Sequence, residues 1–227
     1  SVSIASGASL NDFGGHIAMK AGSSLNSDGG SISLLTPSSL LSTGAVIIGS
    51  GRSSKISGVF SLQSGHTKGG STGEISLSTG DSLQNRVGDI AVKVEGTSKH
   101  AGGIIEVAVG ETHAGGIGGG GIFVSAGDAK GIGESSAGGG VIAFGGTGSR
   151  GKGGVLFLQS GMSLTSASGL AKIGTHVAND IGVSGSILIA SGSSYDEEKT
   201  GFLQFSTGGL NDAGGGDILL HTGTSMN

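Results

Sequence analysis

The chain of 227 residues contains 51 glycines, one proline, no cysteine and no tryptophan, and only 12% of its residues are charged. The absence of cysteine excludes a disulfide framework, and glycine without a three-residue period or abundant proline excludes collagen. The net charge of −4 is not concentrated in a basic stripe or an acidic block, so the composition predicts no nucleic-acid partner.

A glycine recurs along the whole chain at intervals of 14 to 19 residues, and each such place is called a marker position here. Self-similarity at a period of this length is typical of repeat architectures, in which each repeat is one small structural unit. The fifteen marker positions are Gly7, Gly22, Pro37, Gly51, Gly65, Gly80, Gly96, Gly110, Gly127, Gly146, Gly161, His176, Gly192, Gly208 and Gly223.

Five further columns accompany the markers. Five residues before each marker (position −5) stands an apolar residue, and three before it (position −3) stands another in every repeat except at Lys93. Position −7 is nearly always glycine, while positions −1 and +2 are usually serine or threonine. We call positions −5 and −3 together the inner apolar columns. Because side chains two apart share one face of a strand, this pattern predicts a short strand bracketed by glycine turns.

A strand of about five residues cannot bury its apolar face alone, whereas stacked coils would join these residues into continuous ladders. The repeat therefore predicts an all-β fold, a parallel β-solenoid (β-helix) of about fifteen coils of about fifteen residues. We expect residues 1–227 to form a single β-solenoid repeat domain. Both ends are good repeats without terminal caps, which favours a window of a longer array or a subunit that stacks end to end.

One repeat departs from the pattern, because Lys93 and Glu95 occupy inner or corner positions. Either the two side chains form a buried pair, or the strand shifts its register by one residue and turns Ile90, Val92 and Val94 inward. A shift costs less free energy than burying charge, so we expect a bulge near residues 89–95.

The position between the inner apolar columns should face outward, and its character changes along the chain. It is mostly small in the first half, as at Ser33 and Ser76, and apolar in the second. An exposed apolar stripe is a candidate contact surface, and long repeats near Gly115–Gly121 and Gly131–Gly140 should form loops beside it. This candidate lateral interface, called the outer stripe below, comprises Phe123, Ile142, Phe157, Leu188 and Leu219.

The sequence contains no strong catalytic or ligand-binding motif. The six histidines stand at different repeat positions, and the aspartates form no ladder. The segment from Gly146 to Lys152 resembles a phosphate-binding loop, but Gly153 stands where such loops carry the hydroxyl that binds magnesium. The sequence therefore predicts no catalytic residue, no cofactor and no metal site, and the chain is not expected to be an enzyme.

Segments such as Gly29–Leu34, Gly73–Ser82 and Gly185–Ser194 resemble the glycine-, serine- and threonine-rich solenoid repeats of large secreted surface proteins, known from algae and related protists. The resemblance covers essentially the whole chain. It implies a structural role outside the cell or at its surface, and it transfers no site residues.

We expect a structural protein that builds an extracellular filament or surface fibre through end-to-end and lateral association with itself, without membrane insertion. Two alternatives remain. An ice-binding solenoid would need a regular outward threonine array, which the mixed outward columns lack. A carbohydrate-binding or carbohydrate-active β-helix would need clustered carboxylates and exposed aromatics, and the chain has one tyrosine.

Overall fold

The computed structural model describes residues 1–113, 118–131, 136–178, 182–194, 200–209 and 215–223. Across these ranges the chain forms neither a helix nor a strand, and extended segments alternate with bends. The chain divides into two units, Ser1–Val107 and Ala108–Asn227. The boundary lies near the place where the residue between the inner apolar columns changes from small to apolar.

Neither unit has a hydrophobic core in the part of the chain that the structure describes, because no side chain there is buried. The chain has a solvent-accessible surface of 23,782 Å² for a mass of 21.7 kDa. A folded globular protein of this mass would expose about 9,000 Å² and its unfolded chain about 31,000 Å². The protein therefore buries only a minor part of the surface that folding usually removes from water.

The recurring ordered feature is a closed turn that follows the marker glycine. The amide of Gly15 donates a hydrogen bond of 2.8 Å to the carbonyl of Gly7, which lies eight residues earlier. The same bond, also spanning eight residues, recurs at three further markers. These bonds are Gly30 to Gly22 (2.9 Å), Gly154 to Gly146 (2.8 Å) and Gly169 to Gly161 (2.9 Å).

The donor in each of these bonds is the glycine at position −7 of the next repeat, which we call the closing glycine. A Cβ atom added to Gly15 would lie 3.1 Å from the Cβ of Ser6, and one added to Gly154 would lie 2.8 Å from the amide nitrogen of Gly146. The closing glycine therefore has no room for a side chain. The marker glycines differ, since a Cβ at Gly7 would meet nothing within 4 Å.

The most sheltered side chains are small ones that flank the markers. The described residues of intermediate burial all stand at position −1 or +2, directly before a marker or two residues after it. At position −1 this shelter comes from the glycine at position −7 of the next repeat, which lies against Ala21, Thr36, Ala126 and Ser160. These seven residues are Ala21, Thr36, Thr67, Ala126, Ser160, Ser163 and Ala178.

The predicted all-β parallel β-solenoid is wrong. A solenoid needs backbone bonds between residues one full repeat apart, but the closing bonds join residues eight apart within one repeat. The described chain has no strand, and its large apolar side chains stay exposed to solvent. Glycine loses the most conformational entropy when it is ordered, and small side chains bury too little area to offset that loss in a ladder.

Residues 89–95 form no strand, so the expected strand bulge is not found, and Lys93 and Glu95 are exposed and not a buried pair. A Cβ on Gly88 would lie 3.9 Å from Thr79, and one on Gly103 would lie 2.8 Å from Val94. These contacts make Val94 the −1 residue and put Glu95, not Gly96, at the marker position. The spacing from Gly80 to Glu95 and from Glu95 to Gly110 is then fifteen residues each, so no bulge is needed.

A longer turn closes in the same way. The amide of Gly139 donates to the carbonyl of Gly127 at 2.9 Å across twelve residues instead of eight. This turn contains most of the long stretch Gly131–Gly140 for which we predicted a loop. Residues 132–135 of that loop, and residues 115–117 of the other predicted loop, lie outside the described residues.

Substitutions at Gly154 and Gly146, the donor and the acceptor of one closing bond, test whether close approach holds the closed turn. We expect Gly154→Ala to break the closing bond, because its Cβ would overlap the backbone of Gly146. A bond of this kind contributes about 1 kcal/mol, so amide exchange at residue 154 should quicken about fivefold. Hydrogen exchange followed by NMR measures this rate.

Gly146→Ala is the matched control, because a Cβ there meets nothing within 4 Å and the backbone is not in the left-handed region. Its exchange at residue 154 should match that of the unmodified chain. Equal acceleration in both variants would contradict the close-approach explanation.

Candidate interaction surface

The inner apolar columns keep the alternation that the sequence predicts, but they do not become a core. From Ile17 to Ile218 the large side chains at position −5 are 49–62% exposed, with Ile90 counted at this position after the register shift. The five side chains of the outer stripe are 73–95% exposed. The −5 column is thus the more sheltered face of each extended segment, although water still reaches half of it.

The structure describes all five residues of the outer stripe and places all of them in the second unit. Phe123 is 95% exposed, and its ring lies beside Gly121, where an added Cβ would be 3.1 Å from the ring. Ile142, Phe157 and Leu219 are each 73% exposed and Leu188 is 88% exposed. Contact of this stripe with a partner stays a prediction.

A third apolar feature was missed by the sequence analysis. Five repeats carry leucine three residues after the marker, at the bend of the closed turn, and these leucines are 89–104% exposed. The signal in the sequence is the motif Gly-x-Ser-Leu, with proline as its first residue in one repeat. We call these residues the leucine tips; they are Leu10, Leu25, Leu40, Leu83 and Leu164.

Serine hydroxyls order the backbone beneath the leucine tips. The Oγ atom of Ser9 accepts a hydrogen bond of 3.0 Å from the amide of Asp12, three residues further on. Short side chains of this kind favour turns by bonding the nearby backbone. The same bond forms at Ser24 (3.0 Å), Ser82 (3.1 Å) and Ser163 (3.0 Å), and Ser39 makes a longer one of 3.5 Å two residues on.

An open groove lies between the extended segments on the two sides of the closed turn that runs from Gly161 to Gly169. Its volume is about 340 Å³, and it has an apolar lining from Leu158, Leu170 and Ile173. Lys172 adds one positive charge to its wall. The groove is therefore an unfilled apolar space that consecutive repeats form together.

Groups that could perform catalysis are not assembled in the described part of the chain. No three histidine, aspartate or glutamate side chains approach one another there closely enough to hold a metal ion. The ion pair of Arg86 with Asp89, at 2.8 Å, is exposed and contributes little free energy.

The segment from Gly146 to Lys152 also lacks the geometry of a phosphate-binding loop. The carbonyl oxygens of Gly151 and Lys152 converge on Gly148, each 2.6 Å from an added Cβ there. A phosphate needs amide groups that point towards it, so oxygen atoms facing the interior of this turn would repel an anion.

Among the described residues, no helix long and apolar enough to cross a membrane is found. Comparison with protein-family models, with curated proteins and with solved structures gives no match to this chain. The described surface combines the inner apolar columns, the outer stripe, the leucine tips and the groove, all of them exposed to solvent.

The hydroxyl of Ser163 offers a test of the turns that carry the leucine tips. We expect Ser163→Ala to remove the bond to the amide of Ser166 and to speed hydrogen exchange at that amide several-fold, since such a bond contributes about 1 kcal/mol. Ser163→Thr keeps a hydroxyl and should restore slow exchange. An alanine variant that exchanges like the unmodified chain would show that the hydroxyl does not hold the turn.

Proposed function

We propose that the chain is a structural module of an extracellular or cell-surface fibre, which assembles by association with further copies of itself. The observation that carries this proposal is the absence of any buried side chain in the described residues of a chain that is 35% hydrophobic. A chain that exposes regular apolar columns lowers its free energy by covering them.

Energetics support association. Ordering the backbone costs about 1–2 kcal/mol per residue, and burial of apolar area is the main term that offsets this cost. Since the isolated chain buries little area, its closed turns have only their local hydrogen bonds to hold them. Contact with a second copy supplies the missing burial, so assembly and ordering are coupled in this proposal.

The available area is sufficient for a stable contact. The first unit alone presents sixteen large apolar side chains in its inner columns, with Ile90 and Val92 counted in the shifted repeat. Full burial of an aliphatic side chain removes about 60–120 Å², so half of that gives on the order of 700 Å². Each partner in a stable complex contributes about 800 Å², which the leucine tips help to reach.

The composition also favours a second copy of this chain as the partner. Only 12% of the residues are charged, about half the usual share, so copies repel each other weakly. A mean hydropathy of +0.19 is above that of chains that stay disordered in solution. Because every repeat offers similar surfaces, one contact can recur many times along a pair of chains.

Assembly is tested by electron microscopy and sedimentation of the whole chain over a range of concentrations. We expect fibres above a threshold concentration. Ile17→Ser, Ile32→Ser, Ile75→Ser and Ile105→Ser together should raise that threshold at least tenfold, because each removes apolar area worth about 1 kcal/mol or more.

The matched control replaces Leu35, Ile47, Val59 and Ile104 by serine, which removes four apolar residues of the same unit from outside the inner columns. This control should assemble near the original threshold. A chain that stays monomeric at every concentration would refute the proposal, and thermal hysteresis in such a monomer would favour the ice-binding alternative instead.

A further inference from the structure

The geometry points to a specific junction between copies: the leucine tips of one chain insert into the apolar groove beside the Gly161–Gly169 turn of a second copy. This inference rests on the proposed self-assembly and names the surfaces that carry it. The occupant of the groove is a second copy of this chain. Four of the tips lie in the first unit, whereas the groove lies in the second unit, beside the turn that carries Leu164.

The leucine tips are suited to insertion because they are exposed and held in place. Leu10 and Leu25 are each 101% exposed, so nothing in their own chain covers them. Beneath them, the hydroxyls of Ser9 and Ser24 bond the turn, and the closing bonds at Gly15 and Gly30 seal it. A preorganised apolar side chain loses little conformational freedom when it docks.

The groove has an apolar lining of side chains that are themselves 75–86% exposed, so it is open to an incoming leucine. Its volume of about 340 Å³ has room for an aliphatic side chain, and Leu158, Leu170 and Ile173 would surround it. One tip offers on the order of 100 Å² of apolar area, well below the ~800 Å² that one partner usually contributes. A single tip in the groove would be weak, so the inner columns must supply the remaining contact.

Charge favours the same pairing. Lys172 lies in the groove wall, and it forms no ion pair within the described residues. The first two tip turns carry Asp12 and Asp28 close to their leucines. Opposite charges at the rim of a contact steer the encounter and fix its orientation. An anionic membrane surface fits the tips less well, because these two turns are acidic and carry no basic residue.

A junction between two different surfaces has a consequence for assembly. When a tip of one copy enters the groove of the next, both copies keep one unused surface, so the contact is heterologous. Such contacts add further copies unless the rotation closes a ring, and they produce filaments. A contact between identical surfaces would instead stop at a dimer.

A mixing experiment tests this junction. Variant one replaces all five leucine tips by serine and keeps the groove; variant two carries Leu170→Ser and Lys172→Glu and keeps the tips and the inner apolar columns. Neither variant alone should form fibres. Their mixture should form small complexes that do not grow into fibres, because only the tips of variant two and the groove of variant one can pair. Analytical ultracentrifugation measures the mass of the complexes.

The control removes other exposed apolar residues of the turns: Phe13→Ser, Leu41→Ser, Ile56→Ser and Met162→Ser, all 83–98% exposed. It should form fibres within about threefold of the original threshold. Fibres from variant one would overturn the junction and leave the proposed function standing. A mixture without complexes, or a control as defective as variant one, would also overturn the junction. A monomeric unmodified chain would refute the proposed function itself.

Discussion

The local order of this chain depends on one close approach, which in five described repeats brings the closing glycine against the marker before it. The amide of Gly15 reaches the carbonyl of Gly7 only because nothing larger than hydrogen stands on Gly15. That approach shelters a small side chain at position −1 and sets the span of the turn. It also leaves the extended segment between turns without a backbone partner, and therefore it leaves both inner columns in water.

The residues that order the turns are therefore not the residues that could bury apolar area. In an ordinary domain the same elements satisfy the backbone and bury apolar area, and the two contributions support each other. Here the turns are held by glycine and serine, while isoleucine, leucine and valine remain half exposed between them. The apolar residues can stabilise the chain only when a second surface covers them.

The sequence predicted the turns better than the fold. Glycine at position −7 was predicted to stand in a turn, and the structure gives it a role as a close approach. The serine at +2 was noticed only as a column, and the structure makes its hydroxyl an acceptor within the turn. The shift at Lys93 was predicted from the cost of burying charge, which is a local argument. The solenoid prediction failed because a period of fifteen residues is compatible with two arrangements: coils that stack on one another, and turns that each close on themselves by a bond shorter than one repeat. Only the donor–acceptor pairs distinguish the two arrangements.

The leucine tips were missed because they stand outside the inner apolar columns, where a single leucine in a turn forms no alternating apolar pattern with its neighbours.

The turn from Gly127 to Gly139 shows how freely such a chain can change in length. Its closing bond has the same length as the others although the loop holds four more residues. Extending a flexible loop from eight to twelve residues costs only about 0.4 kcal/mol of closure entropy. Foreign peptide sequence could therefore be accommodated between a marker and its closing glycine with little disturbance to neighbouring repeats. In evolutionary terms, each repeat is a separate site for insertion, and the array can diversify its surface without altering its periodic frame.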